Sequence, residues 1–273
     1  MTSTQQRQAE EFHRLHDDLL ILPNAWDPPS ARMVEAAGAA AVATTSAGVA
    51  WSRGVADGGG LDRATALDAA ARVIGAVTIP VTVDLEGGYP GEPGGVETAV
   101  EQVIEAGAVG INLEDSAGGA LLPLAAQAET LRRVRKLVDS TPVRLFVNAR
   151  IDTFLLAPAG STGPDLVAAT IERARTFVKA GADGVFVPGV TDPALVRDLV
   201  AGVPAPLNLM VGRGAPPLAR YAELGVRRIS AGPTLTLSAY RQVRDWAGAM
   251  LAGSLEDVPE GMEPGPLQAG PVR

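Results

Sequence analysis

The chain contains no cysteine and only two histidines, His13 and His16. The first absence removes disulfides, thiolate nucleophiles and cysteine-ligated zinc together, while leaving the compartment open. With no central histidine either, proton transfers must fall to a metal, carboxylates, hydroxyls or water. Both histidines lie in a polar amino-terminal helical pattern and are expected on solvated surface. Lysine and arginine (23 against 31 acids, formal charge −8) are scattered rather than clustered, so no face is offered to a phosphate backbone and no nucleic-acid partner is expected. No apolar run reaches the roughly 20 residues of a membrane span. The richest stretch, Ala36 to Trp51, is broken by Gly38, Thr44, Thr45, Ser46 and Gly48. The amino terminus is polar with mixed charge, unlike a secretory or transit segment, and the reading is a cytoplasmic protein without a membrane partner.

What is present repeats one grammar. Four segments (35–46, 104–115, 178–189 and 222–232) end a helical pattern at Ala-Gly or Leu-Gly and continue at once into a β-branched run. Glycine at the position after a helix takes the left-handed conformation and turns the chain into a strand. Together with the other apolar runs, this predicts eight strands at 19–23, 40–45, 80–84, 109–113, 144–148, 184–188, 207–211 and 227–231. Helical spacing over 62–77, 96–106, 125–138, 166–180, 193–201 and 216–223 supplies an outer ring. The expectation is an α/β fold of the (β/α)8 TIM-barrel type. One domain, with an amino-terminal helix, spans 1–252, and a mobile Pro/Gly-rich tail follows over 253–273. A doubly wound open sheet is disfavoured, since no G-x-G-x-x-G follows a strand.

In such a barrel the chemistry sits just after the strands. Asp84 and Glu86 in VDLEGGY are two apart and leave one face of an extended chain, and Glu114 ends the neighbouring strand in INLED. Carboxylates converging on one mouth repel unless a cation neutralises them, and oxygen-only ligands suit Mg²⁺ or Mn²⁺ rather than zinc. Such acids also serve as helix caps or solvated loop residues. Arg150 in FVNAR can fork onto a substrate carboxylate, or pair structurally with Asp152 or Glu114. The TTSAG turn (44–48) offers Ser46 and nearby amides to an anion. Asn208 and Ser230 mark the last two strands, and Trp26 and Trp51 stand where they could wall a pocket or pack on its rim.

The ordered set LPNAWDPPSAR, TTS followed by glycine, VDLEGGY, INLED and VNARID resembles the isocitrate lyase and phosphoenolpyruvate mutase superfamily over about residues 20 to 245. The resemblance implies an α/β barrel, a homo-oligomer (tetramer or dimer), and Mg²⁺ with an α-oxycarboxylate substrate. By position, Asp84 matches the direct metal ligand, Glu86 and Glu114 act through water, and Asp57 lies near the metal. Ser46 with the amides of Ala47 and Gly48 matches the carboxylate cradle, and Arg150 the substrate arginine. The shared chemistry is formation or consumption of a metal-bound enolate.

The loop after the fourth strand departs from the family. Isocitrate and methylisocitrate lyases carry a Lys-Lys/Arg-Cys-Gly-His core there, whereas this chain reads EDSAGGALLPLA, with neither that cysteine nor the lysine of the mutases. The leading expectation is a lyase cleaving a C–C bond of an oxaloacetate- or alkylmalate-like acid, with Ser116, Tyr89 or water as proton donor. The alternatives are a phosphonopyruvate-type mutase or hydrolase, a one-carbon transferase on a 2-oxo acid, and a non-catalytic oxo-acid-binding barrel.

Overall fold

The computed structural model describes residues 3–256 and 258–268. Its main sheet is wholly parallel and closes into a barrel. The first strand position is split into β1 (Leu20–Leu22) and β2 (Asn24–Ala25) at Pro23, which has no amide to donate, though its carbonyl accepts from the Ala43 amide. There follow β3 (Val42–Thr44), β4 (Val81–Asp84) and β5 (Gly110–Glu114), a small hairpin of β6 (Ser116–Ala117) and β7 (Ala120–Leu121), then β8 (Phe146–Arg150), β9 (Gly184–Val187), β10 (Leu207–Met210) and β11 (Arg228–Ser230). Because β1 pairs with β11 while β2 pairs with β3, the two halves of one strand join last to first. All eight expected strand positions are present. The fifth is shifted two residues, so that Arg150 ends β8 and Asn148 lies inside it.

The ring is built from α2 (Pro28–Ala36), α3 (Ser46–Ser52), α4 (Arg63–Ile74), α5 (Gly95–Glu105), α6 (Leu124–Asp139), α7 (Gly163–Lys179), α8 (Pro193–Gly202), α9 (Leu218–Leu224) and α10 (Thr234–Leu251). The four predicted junction glycines, Gly38, Gly107, Gly181 and Gly225, all have φ between 89° and 109°, a region that L-residues rarely occupy. The longer inner helices bury one stripe each. In α7, Val167, Thr170, Ala174 and Phe177 recur at three- and four-residue spacing against the sheet, and full burial of Phe177 alone contributes about 2–3 kcal/mol. Among the described residues no helix is long and apolar enough to cross a membrane. In the tail, α11 (Gly265–Gln268) lies beside α2, whose Arg32 donates to the Leu267 carbonyl at 3.1 Å. Asp257 and residues 269–273, part of the segment expected to be mobile, lie outside the described residues.

The amino-terminal helix α1 (Ser3–Arg14) closes the barrel's lower end. Gln5 ties it to the Ile104 and Ala108 carbonyls, and Phe12 is fully buried with its edge on Phe146. His16 is not on solvated surface as expected. It is 4% exposed, stacked on Phe146 at 4.1 Å between centroids, with Nδ1 2.7 Å from the Phe12 carbonyl. Burial, then the charge of Arg228, pushes it down to about 3, so it stays neutral. The helical pattern of α1 was legible, but its docking under the barrel is a tertiary event. His13 is half-buried and meets the Arg144 carbonyl at 3.1 Å.

Candidate active site

The strands place polar side chains in two layers. Asn112 and Asn148 are in register on β5 and β8, and Asn148 Nδ2 donates to Asn112 Oδ1 at 2.9 Å and to Asn208 Oδ1 at 3.2 Å. This asparagine belt lies inside the barrel. Arg228 joins it, donating from Nη2 to Asn112 Oδ1 at 3.2 Å while its Nε and Nη1 are buried without partners. Burial lowers its guanidinium to about 9, with Asp84 pulling the other way. Two register positions towards the mouth, Glu114 pairs with Arg150.

At the mouth, Arg150 Nη1 contacts Glu114 Oε2 at 2.9 Å and its Nε donates to Asp152 Oδ1 at 2.7 Å, so both structural partners weighed for it are real. Ser116, on the β6–β7 hairpin, donates its hydroxyl to the other oxygen of Asp152 at 2.5 Å. The hairpin's base is held by Asp115, which is fully buried, pairs with Arg173 and accepts from the Asp152 amide at 2.9 Å. Burial raises the Asp115 carboxyl despite these donors.

Ser46 opens α3 and spends both donors on Asp84 Oδ2, the hydroxyl at 2.8 Å and the amide at 3.2 Å. Asp84 Oδ1 is buried with no hydrogen-bond partner. Glu86 follows in a turn with φ 50°, one of two non-glycine residues with positive φ among those described; the other is Tyr89. A left-handed carboxylate residue beside a cleft marks a backbone held for its side chain's position. Burial, then Asp84 and Asp57, raises Glu86. Glu114 is pushed up to about 8, chiefly by burial; Arg150 pulls it down, while Asp84, Asp152 and Glu86 push it up.

A divalent cation suits this donor set: a partnerless buried carboxylate oxygen on Asp84, with further acids raised by burial and then by one another. Among the described residues, however, no three acids come together tightly enough to cage an ion by themselves. Asp84, Glu86 and Glu114 are close enough to repel one another at the mouth but do not form a cage. Asp57 is exposed at the rim and lines the same space.

Two connected cavities share Ser46, Asp57, Arg150 and Leu155. The inner one, about 160 Å³, reaches Asp84, Asn112 and Ser230; the outer, about 730 Å³, runs past Tyr89 and Ser116. The predicted Ala47 lines the inner cavity, but Gly48 does not. A Cβ at Gly48 would lie 2.6 Å from Thr236 Oγ1 and 2.9 Å from Trp26 Cβ, so this glycine permits close packing of α3 on α10. Trp26 packs in that contact, 6.5 Å from Tyr240, and lines neither cavity. Asn208, expected at the substrate, lies in the asparagine belt, donating to the Leu209 carbonyl at 2.8 Å and lining neither cavity. The Asp152 bridge and the buried Arg228 were not anticipated. An arginine at an inward-facing strand position was the available signal for the second.

The phosphoenolpyruvate phosphomutase family model matches residues 12–251. An uncharacterized protein of Mycobacterium tuberculosis H37Rv is 39% identical over 223 residues, covering 81% of each chain. The 2-methylisocitrate lyase of Bacillus subtilis is 27% identical over 216 residues, 75% of this chain and 67% of that protein. A crystal structure from Burkholderia cenocepacia, described as a putative phosphonomutase, superposes with a TM-score of 0.85 at 39% identity, covering 92% of this chain and all of that one. The barrel, its mouth and these matches agree: the chain belongs to the phosphoenolpyruvate phosphomutase family, within the superfamily of isocitrate lyase and phosphoenolpyruvate mutase enzymes.

Proposed function

We propose that the protein is a Mg²⁺-dependent lyase, also served by Mn²⁺, that cleaves a C–C bond of a small 2-oxo or 2-hydroxy carboxylate by way of an enolate. Asp84 carries the reading: one oxygen is fixed by Ser46 and the other is buried and partnerless, at a mouth that also holds Arg150. A divalent cation on Asp84, with Glu86, Glu114 and Asp57 reaching it through water, would supply Lewis-acid stabilisation to charge developing on the C2 oxygen. The chain's own residues do the rest. Glu114 and Asp152 hold the Arg150 guanidinium in one orientation, from which its remaining donors can take the substrate carboxylate. In the first turn of α3 the Ser46 amide is spent on Asp84, while Ala47 borders the same inner cavity and its amide would serve the substrate carboxylate. Ser116 is the hydroxyl nearest a proton-donating role, its own proton directed onto Asp152.

Turnover across a panel of 2-oxo and 2-hydroxy acids should require Mg²⁺ and vanish in Asp84→Ala. Activity that resists EDTA would refute the assignment. A second reading, P–C bond chemistry on a phosphonopyruvate-like acid, is supported by the family model's description and by the Burkholderia relative. It predicts a ³¹P shift change with that substrate. The proposal includes a homo-oligomer, because α10 buries only Thr236 and leaves Leu237, Tyr240 and Val243 exposed.

A further inference from the structure

One side chain of the inner cavity is held in a single orientation from behind. Asn112 is 6% exposed, lines that cavity, and is the register partner of Asp84 on the adjacent strand. Neighbouring strands lie about 4.8 Å apart, so the two side chains share one small space. Asn112 Oδ1 accepts from Asn148 Nδ2 at 2.9 Å and from Arg228 Nη2 at 3.2 Å. A guanidinium only donates, so the atom facing Arg228 is the amide oxygen and the amide nitrogen is turned the other way. Among the described residues Asn112 Nδ2 has no hydrogen-bond partner, and it is not one of the enclosed polar atoms; it opens onto the inner cavity. Asn24, the other asparagine of that cavity, is already bonded. Its Oδ1 accepts from the Ala231 and Gly232 amides, and its Nδ2 donates to the Thr44 carbonyl.

Arg228 sits where a charge is expensive to bury. It is 1% exposed, lines neither cavity, and has its guanidinium carbon 5.8 Å from the Phe12 ring centroid. Among the described residues the guanidinium has one hydrogen-bond partner, Asn112. Burial lowers it to about 9, so it is still charged at neutral pH. Replacing buried charges by apolar side chains of similar volume is often neutral or stabilising. Packing alone therefore does not call for an arginine here, and its one contact leads to the site.

We propose that Arg228 is a positioning residue and Asn112 a substrate ligand: Arg228 fixes and polarises the Asn112 amide so that Nδ2 donates to the substrate oxygen on which the enolate charge develops. This rests on the enolate reading of the mouth and adds a donor to it. An oxygen drawn to a cation at Asp84 lies beside this donor, because Asp84 and Asn112 are register partners. A cation on the amide oxygen strengthens the N–H as a donor, and a donor oriented in advance counts most where charge develops.

The test is calorimetry on the full chain with two probes: Mg²⁺ alone, then oxalate, a planar mimic of the pyruvate enolate, with Mg²⁺ present. Wild type, Asn112→Ala, Arg228→Met and the double variant form a cycle. Asn112→Ala should weaken oxalate binding about 10- to 100-fold, the range for a hydrogen bond to a charged group, and Arg228→Met about 10-fold. The double variant should bind oxalate within about twofold of Asn112→Ala, since Arg228 acts through that amide. Arg228→Met should leave Mg²⁺ binding unchanged or tighter, because it removes a positive charge that Asp84 feels. Three results would each overturn the inference and leave the enolate reading intact: losses that add in the double variant, oxalate affinity within about twofold of wild type in either single variant, or Mg²⁺ binding weakened as much as oxalate binding. Failure of wild type to bind oxalate overturns both. If Arg228→Met or Asn112→Ala does not fold, Arg228→Gln and Asn112→Ser take their places with the same expected losses.

Discussion

Acid should destabilise this protein through His16, and the size of the effect follows from its burial. The ring is stacked between α1 and Phe146, and its folded-state value is pushed down from 6.5 to about 3 by burial and Arg228. Below pH 6.5 the unfolded chain takes up a proton that the native ring refuses. The stability contributed by a neutral His16 is therefore present above pH 6.5 and is lost as pH falls from there towards 3. At pH 5 the loss is about 2 kcal/mol, and it levels off near 5 kcal/mol below pH 3. For a chain of this length, 2 kcal/mol lowers Tm by roughly 4–8 °C. Burial lowers His13 as well, so its contribution has the same sign. The assay is thermal unfolding of wild type and His16→Phe at pH 8 and pH 5. Phenylalanine keeps a ring on Phe146 but cannot titrate, and acid effects on the carboxylates are common to both proteins. The difference in Tm between the two should shift in favour of the variant by roughly 4–8 °C between the two pH values. An unchanged difference would show that His16 is accessible to protons in the native state and would refute the argument, whatever the variant's absolute stability.

Three further outcomes are expected. Arg150→Lys keeps the charge but cannot hold Glu114 and Asp152 at once while forking onto a carboxylate, so KM should rise about 10- to 100-fold with a smaller change in kcat; a KM within twofold would remove Arg150 from substrate binding. Asp115→Ala leaves Arg173 unpaired at the hairpin base and should cost about 3–5 kcal/mol in urea unfolding, against under 1 kcal/mol for the exposed pair partner Asp245→Ala; equal small effects would mean the Asp115–Arg173 pair relaxes into water. Light scattering should give a mass of at least twice the 28.0 kDa chain, and Val243→Glu on the exposed face of α10 should lower it; a wild-type monomer would exclude the oligomer.

Much of the architecture was legible because it is written locally. Ala-Gly and Leu-Gly before β-branched runs mark helix ends through a backbone conformation that glycine tolerates, and Gly38, Gly107, Gly181 and Gly225 all adopt it. The mouth acids and Arg150 were legible because a barrel exposes strand ends on one face. Errors arose where one residue's fate depends on distant partners. Asn208 read as a mouth residue, but the hydrogen bonds among three strands draw it into the interior with Asn148 and Asn112. Gly48 and Trp26 read as pocket residues, yet they are consumed by the packing of α3 on α10.

Composition, glycine-marked junctions and strand-end acids by themselves determined a parallel α/β barrel with an anionic mouth containing Asp84, Glu86, Glu114 and Arg150, because each rests on a few neighbouring residues. Only the tertiary structure decided which donors are already spent. That Ser46 serves Asp84, that Ser116 reaches Asp152, and that Phe186 lies beside Arg150 are contacts between residues 36 or more positions apart, brought together by barrel closure, and no local pattern encodes them.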